Sequence, residues 1–159
     1  MKILVAETAG FCWGVRRALD QAVDLAKKAD GPVQTFGPLI HNAQVLEELT
    51  EQNIQAIDNL SEIRGGTVLV RAHGIRPEVF DQLRATGADV YDATCPLVRK
   101  VQKIIMKYGN DGYDVVVVGD DHHAEVVGLR GYAAGRCFVV ANEKEAESLP
   151  EFDKVCVVS

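Results

Sequence analysis

Short β-branched runs alternate along this chain with segments whose apolar residues recur at a 3.6-residue period, and a parallel sheet fed by crossover helices accommodates both. The runs lie at residues 3–6, 33–36, 54–57, 68–71, 89–91, 115–118, 138–140 and 155–158. Helical spacing links Val15, Leu19, Ala22, Val23 and Ala26, and later Val98, Val101, Ile104 and Ile105. Residues 115–118 and 155–158 are apolar without alternation, which predicts strands covered on both faces. The expected fold class is α/β, built from repeated parallel units.

The repeat is visible in the residues. Cys12-Trp13-Gly14-Val15-Arg16-Arg17 and Cys95-Pro96-Leu97-Val98-Arg99-Lys100 share the pattern Cys-x-x-Val-Arg-basic, and the two cysteines stand 83 positions apart. His41 with Val45 recurs 82 positions later as His123 with Val127, and Ile54 recurs 83 positions later at Cys137. The same spacing places the counterpart of His73 near Cys156. The expected organisation is an opening strand within residues 1–12, a first α/β domain at 13–95 and an incomplete second one at 96–159. Ser159 follows a buried-type strand at the point where the first copy continues through Ala72-His73-Gly74, so a truncated sequence is expected.

A net charge of -6 without any Lys/Arg run longer than two argues against a nucleic-acid partner. The apolar start ends at Glu7, and no later run reaches the length of a membrane span, so a cytoplasmic protein is expected. Four cysteines without a CxxC pair leave structural thiol, nucleophile or metal ligand as their roles.

Chemistry gathers at the ends of the runs. Cys12, His41, His73, Cys95 and the group His122, His123 and Glu125 all follow a strand candidate, where ligands bind in open α/β sheets. Cys12 and Cys95 each precede a helix, whose free N–H groups favour a thiolate. Cys137 and Cys156 lie inside strand candidates and read as packing thiols. His41, His73 and His123 sit beside glycines or a helix start, which suits a diphosphate cradle. Glu125 is the candidate proton donor, and His122 a neighbour. Two repeats bring two thiolates; a cubane with three would keep one iron open for chemistry. A mononuclear zinc hydrolase using Cys12, Cys95 and a histidine, and a non-enzymatic diphosphate-binding or cluster-scaffold module, are the alternatives.

In order, Gly10-Phe11-Cys12, His41-Asn42, Ala72-His73-Gly74, Asp92-Ala93-Thr94-Cys95-Pro96-Leu97-Val98 and His123-x-Glu125-Val126-x-Gly128 resemble the motif set of the 4-hydroxy-3-methylbut-2-enyl diphosphate reductase, or LytB, family. The resemblance runs the length of the chain. It implies three similar α/β domains around a 4Fe-4S cluster and the last step of the non-mevalonate isoprenoid pathway. In that step an allylic alcohol diphosphate is reduced to isopentenyl and dimethylallyl diphosphates, with electrons from ferredoxin or flavodoxin. By the same resemblance Cys12 and Cys95 are two of three cluster ligands, His41, His73 and His123 hold the diphosphate, and Glu125 delivers protons. The family's third cysteine and later substrate-binding motifs are not in this sequence, so the chain alone is expected to be inactive. Residues 1–12 are expected to pack with a missing third domain.

Overall fold

The computed structural model describes residues 1–159. Helix α1 (Trp13–Ala26) leads into a parallel sheet whose strands β1 (Val33–Phe36), β2 (Ile54–Ile57), β3 (Thr67–Val70) and β4 (Asp89–Asp92) lie in the order β2-β1-β3-β4. Helix α2 (Ala43–Glu51) joins β1 to β2, and α3 (Pro77–Ala85) joins β3 to β4. Gly14, Ala18 and Ala22 recur every four residues and are buried, so α1 presents a face of small residues to the sheet. Ala18, Ala22, Val33, Leu39 and Leu69 form the core on that side, while Val68, Val70 and Leu83 form one under α3. Each strand face therefore has its own apolar layer.

The second unit uses the same plan. Helix α4 (Pro96–Asn110) precedes β5 (Asp114–Val118), α5 (Ala124–Arg130), β6 (Cys137–Val140), the short α6 (Glu143–Ala146) and β7 (Val155–Val158). The strand order β6-β5-β7 reproduces β2-β1-β3, all parallel. Val98 and Ile105 of α4 pack with Val115, Val117, Val126 and Leu129. The α/β reading and the repeated unit hold, and no helix is long and apolar enough to cross a membrane.

Residues 3–6 lie outside both sheets, and Ile3, Leu4 and Val5 are 73%, 81% and 78% exposed. Two expectations fail. Strand β7 is buried on one face only: Cys156 is buried, while Val155 and Val157 are exposed, and α4 packs against it. Finally, Val33 pairs with Thr67 in the first sheet and Val115 with Cys156 in the second. The spacing grows from 34 residues to 41, a longer connection after α6, and the counterpart of His73 falls past Ser159 rather than near Cys156.

A candidate anion site at the strand ends

Backbone hydrogen bonds continue past the strands and tie the functional loops together. The N–H of Ala72 donates to the carbonyl of Leu39 at 3.3 Å, and the N–H of Cys95 donates to the carbonyl of Ala72 at 2.9 Å. The loops after β1, β3 and β4, which carry His41, His73 and Cys95, thus form one rim. Arg71 braces it from below. A Cβ on Gly37 would stand 2.7 Å from Arg71 Nη1, and Arg71 Nε donates to the Gly74 carbonyl at 3.5 Å. Gly37 and Gly74 both have positive φ, 75° and 74°, which the two turns require.

The second unit meets this rim through small residues. The Cα of Gly128 in α5 faces the turn after His73, so that a Cβ there would lie 3.7 Å from the backbone of Gly74 and Ile75. This close approach brings the head of α5, capped by His123, beside His73. His41, His73 and His123 then meet, with ring centroids 4.6, 5.7 and 5.6 Å apart and ligand-type atoms all within 4.8 Å of one another. His41 and His123 are exposed, and His73 is half-buried. Burial first, then the positive surroundings of His41, Arg71 and His123, push His73 down to about 4. Its Nδ1 is buried without a hydrogen-bond partner. The backbone N–H of Glu125 donates to His123 Nδ1 at 3.3 Å, which leaves the ring proton on Nε2 as a donor. A neutral, underused His73, an N–H on His123 and a neighbouring guanidinium make a rim that suits an anion.

Both motif cysteines occupy helix N-cap positions: Cys12, in an extended conformation, heads α1, and Cys95 heads α4. A Cβ on Gly14 would stand 2.5 Å from Cys95 Sγ, so the second thiol lies against the helix that begins with the first. Arg17 Nη1 also donates to the carbonyl of Thr94 at 3.4 Å. The turn before Cys95 is set by Asp92, whose Oδ1 accepts from the N–H and hydroxyl of Thr94 and whose Oδ2 accepts from Arg99. Cys137 and Cys156 lie elsewhere, in β6 and β7 on either side of Val115, and burial raises the pKa of both thiols.

Glu125 stands in the first turn of α5 and takes part in no ion pair, while His122 is exposed outside the imidazole group. No cysteine joins the three histidines, so the mixed sulfur and nitrogen zinc site of the hydrolase alternative is not assembled. A concavity of about 680 Å³ opens at the other end of the first sheet near Lys28, Arg64 and Asp89. Ligands of parallel sheets bind at the carboxyl ends of strands, so the histidine rim remains the candidate site. Sequence reading missed Arg71, although it directly precedes Ala72-His73, and missed Gly14 and Gly128, whose roles depend on contacts distant in sequence.

A family model described as LytB protein matches residues 3–159. The chain is 42% identical to the 4-hydroxy-3-methylbut-2-enyl diphosphate reductase of Caldanaerobacter subterraneus subsp. tengcongensis, covering 100% of this chain and 57% of that protein. It is 43% identical to the enzyme of the same name from Geotalea daltonii, covering 100% of this chain and 56% of the relative. Among solved structures, the (E)-4-hydroxy-3-methyl-but-2-enyl diphosphate reductase described as the terminal enzyme of the non-mevalonate pathway superposes with a TM-score of 0.79 at 38% identity, over 90% of this chain and 52% of that one. The E-1-hydroxy-2-methyl-but-2-enyl-4-diphosphate reductase from Plasmodium falciparum gives 0.91 at 28% identity, over 96% and 49%. The chain spans a little over half the length of these curated relatives.

Proposed function

The chain belongs to the LytB protein family, and from that premise we propose that it supplies the diphosphate-binding residues and two cluster ligands of a 4-hydroxy-3-methylbut-2-enyl diphosphate reductase. The observation that carries this reading is the meeting of His41, His73 and His123, drawn from both units, on the rim that also holds Cys95. The imidazoles bind the diphosphate by N–H donation, and Arg71 adds fixed positive charge behind them. Glu125, in the first turn of α5, holds the proton used to expel the allylic hydroxyl as water.

The donor set fits a 4Fe-4S cluster as far as two thiols go. Cys12 and Cys95 cap helices that touch through Gly14, and helix N-termini favour thiolates. Such a cluster, when bound, supplies single electrons and a Lewis-acidic iron. Its third thiolate comes from outside these residues, since Cys137 and Cys156 belong to the second sheet, and the chain alone is inactive. Electrons come from ferredoxin or flavodoxin. Residues 1–12, whose Ile3, Leu4 and Val5 are exposed outside both sheets, serve as a strand of a further domain, beside domains at 13–95 and 96–159.

Two measurements test this. Calorimetric titration of the chain with pyrophosphate shows saturable binding that His41→Gln and His123→Gln weaken; binding indifferent to both substitutions sinks the anion site. A fusion to the remaining part of the Caldanaerobacter relative, purified without oxygen, contains iron and acid-labile sulfide and converts the allylic diphosphate. Cys12→Ser in that fusion loses the cluster, and Glu125→Gln keeps cluster and substrate binding but loses most turnover. Zinc without sulfide that Cys12→Ser abolishes would return the hydrolase reading, and pyrophosphate binding with no metal at either cysteine the binding module.

A further inference from the structure

We propose that His41, His73 and His123 also form a binding site for a divalent transition-metal ion, zinc in the first instance, held by three imidazole nitrogens with a fourth position open to water. The inference goes beyond the diphosphate reading and does not rest on it. The three rings come from three separate elements: the loop after β1, the turn after β3 and the cap of α5. Their ligand-type atoms already lie within 4.8 Å of one another. A tetrahedral zinc ion with bonds of about 2.0–2.1 Å places its nitrogens about 3.3–3.4 Å apart. The widest pair therefore has to close by roughly 1.4 Å.

The rings are free to make that movement. His41 and His123 are exposed, so each turns without disturbing a core. His73 Nδ1 carries no hydrogen bond, so this ring can turn a nitrogen to a metal without giving up a contact there. The one bond given up is the long 3.3 Å contact from the Glu125 N–H to His123 Nδ1. Three histidines with an open fourth position is the arrangement of accessible zinc sites, and imidazole suits zinc, copper and nickel better than magnesium or calcium. Arg71 opposes a cation here, since its charge is felt at His73. Burial of His73 and the absence of competing hydrogen bonds favour one. Anion and metal draw on opposite properties of the same rings, N–H donation against lone-pair donation, so either occupant can be measured alone.

The experiment titrates the metal-free chain with zinc and, in parallel, with cobalt(II) read by visible absorption. The Cys12→Ser/Cys95→Ser double variant serves as a second host, so that thiolate binding is separated from imidazole binding. The expected result is one ion per chain in both hosts, with X-ray absorption showing nitrogen and oxygen neighbours and no sulfur. His41→Gln and His123→Gln, both at exposed positions, weaken binding roughly tenfold or more, as loss of a ligand should. Binding that disappears with the two cysteines, that survives both histidine substitutions, or that is not detected at all overturns the proposal. Pyrophosphate titration of the same proteins is scored separately, and its failure would count against the anion site without touching the zinc result.

Discussion

Gly14 and Cys95, 81 positions apart, are in contact across the heads of two helices: a Cβ on Gly14 would stand 2.5 Å from Cys95 Sγ and 3.4 Å from Cys95 Cβ. Gly14 lies inside α1, where alanine would ordinarily gain about 0.5–1 kcal/mol. Overpacking costs about 1–3 kcal/mol, so the steric term wins. Gly14→Ala should lower stability by about 1 kcal/mol in urea unfolding. Gly31→Ala, with nothing within 4 Å of its Cβ, is the control and should be near neutral. A Gly14→Ala variant as stable as the parent would show that the two helix heads are not in contact.

Asp92 holds the turn that delivers Cys95 to the start of α4. Its Oδ1 accepts from Thr94 N at 2.8 Å and Thr94 Oγ1 at 2.5 Å, and its Oδ2 accepts from Arg99 at 2.7 Å. The Arg99 side of the ion pair is 44% exposed, so that bond contributes under about 1 kcal/mol. The bonds to the buried Thr94 matter more, about 1–2 kcal/mol together. Asp92→Ala should therefore destabilise more than Arg99→Ala. The reverse order in thermal or urea unfolding would mean that the ion pair, and not the turn, fixes this segment.

These cases show what the sequence carried and what it did not. That Cys12 and Cys95 would begin helices, and that His41, His73 and His123 would follow strands, was legible because short-range pattern decides both. That the three rings would meet was not, because it depends on Gly128 lying against the turn after His73, a contact that spacing does not encode. Residues 3–6 lie outside both sheets for a related reason: apolar β-branched residues form a strand only where a sheet edge is present to pair with them. The position of the His73 counterpart was misjudged because an exposed connection lengthened while the strand order was kept.

His73 provides a pH prediction with a definite sign. Its folded pKa is about 4 against an ordinary value of 6.5, so between those values the unfolded chain binds more protons. Stability contributed by neutral His73 is present above pH 6.5 and is lost as the pH falls toward 4. In proton NMR, the ring resonances of His73 should titrate with a midpoint near 4. Arg71→Met removes one positive neighbour and should move that midpoint upward. A midpoint near 6.5 in the parent would mean that the ring is solvated and not packed into the rim.

Gly128 tests the junction of the two units from the opposite direction to Gly14. A Cβ here would meet Gly74 and Ile75 at 3.7 Å, an ordinary van der Waals distance, and the φ of Gly128 is not positive. Helix propensity then decides the outcome, and Gly128→Ala should stabilise by about 0.5–1 kcal/mol. Gly128→Leu has no room for its remaining carbons against backbone that cannot swing aside. It should push α5 away from the turn after His73 and carry His123 with it. Pyrophosphate and zinc binding should both weaken in Gly128→Leu, while both are kept in Gly128→Ala. With His123 moved off, one of the positive neighbours that hold His73 down is removed, so the His73 midpoint should rise from about 4. Unchanged ligand binding and an unchanged midpoint in a folded Gly128→Leu protein would show that the imidazoles are brought together by something other than this contact.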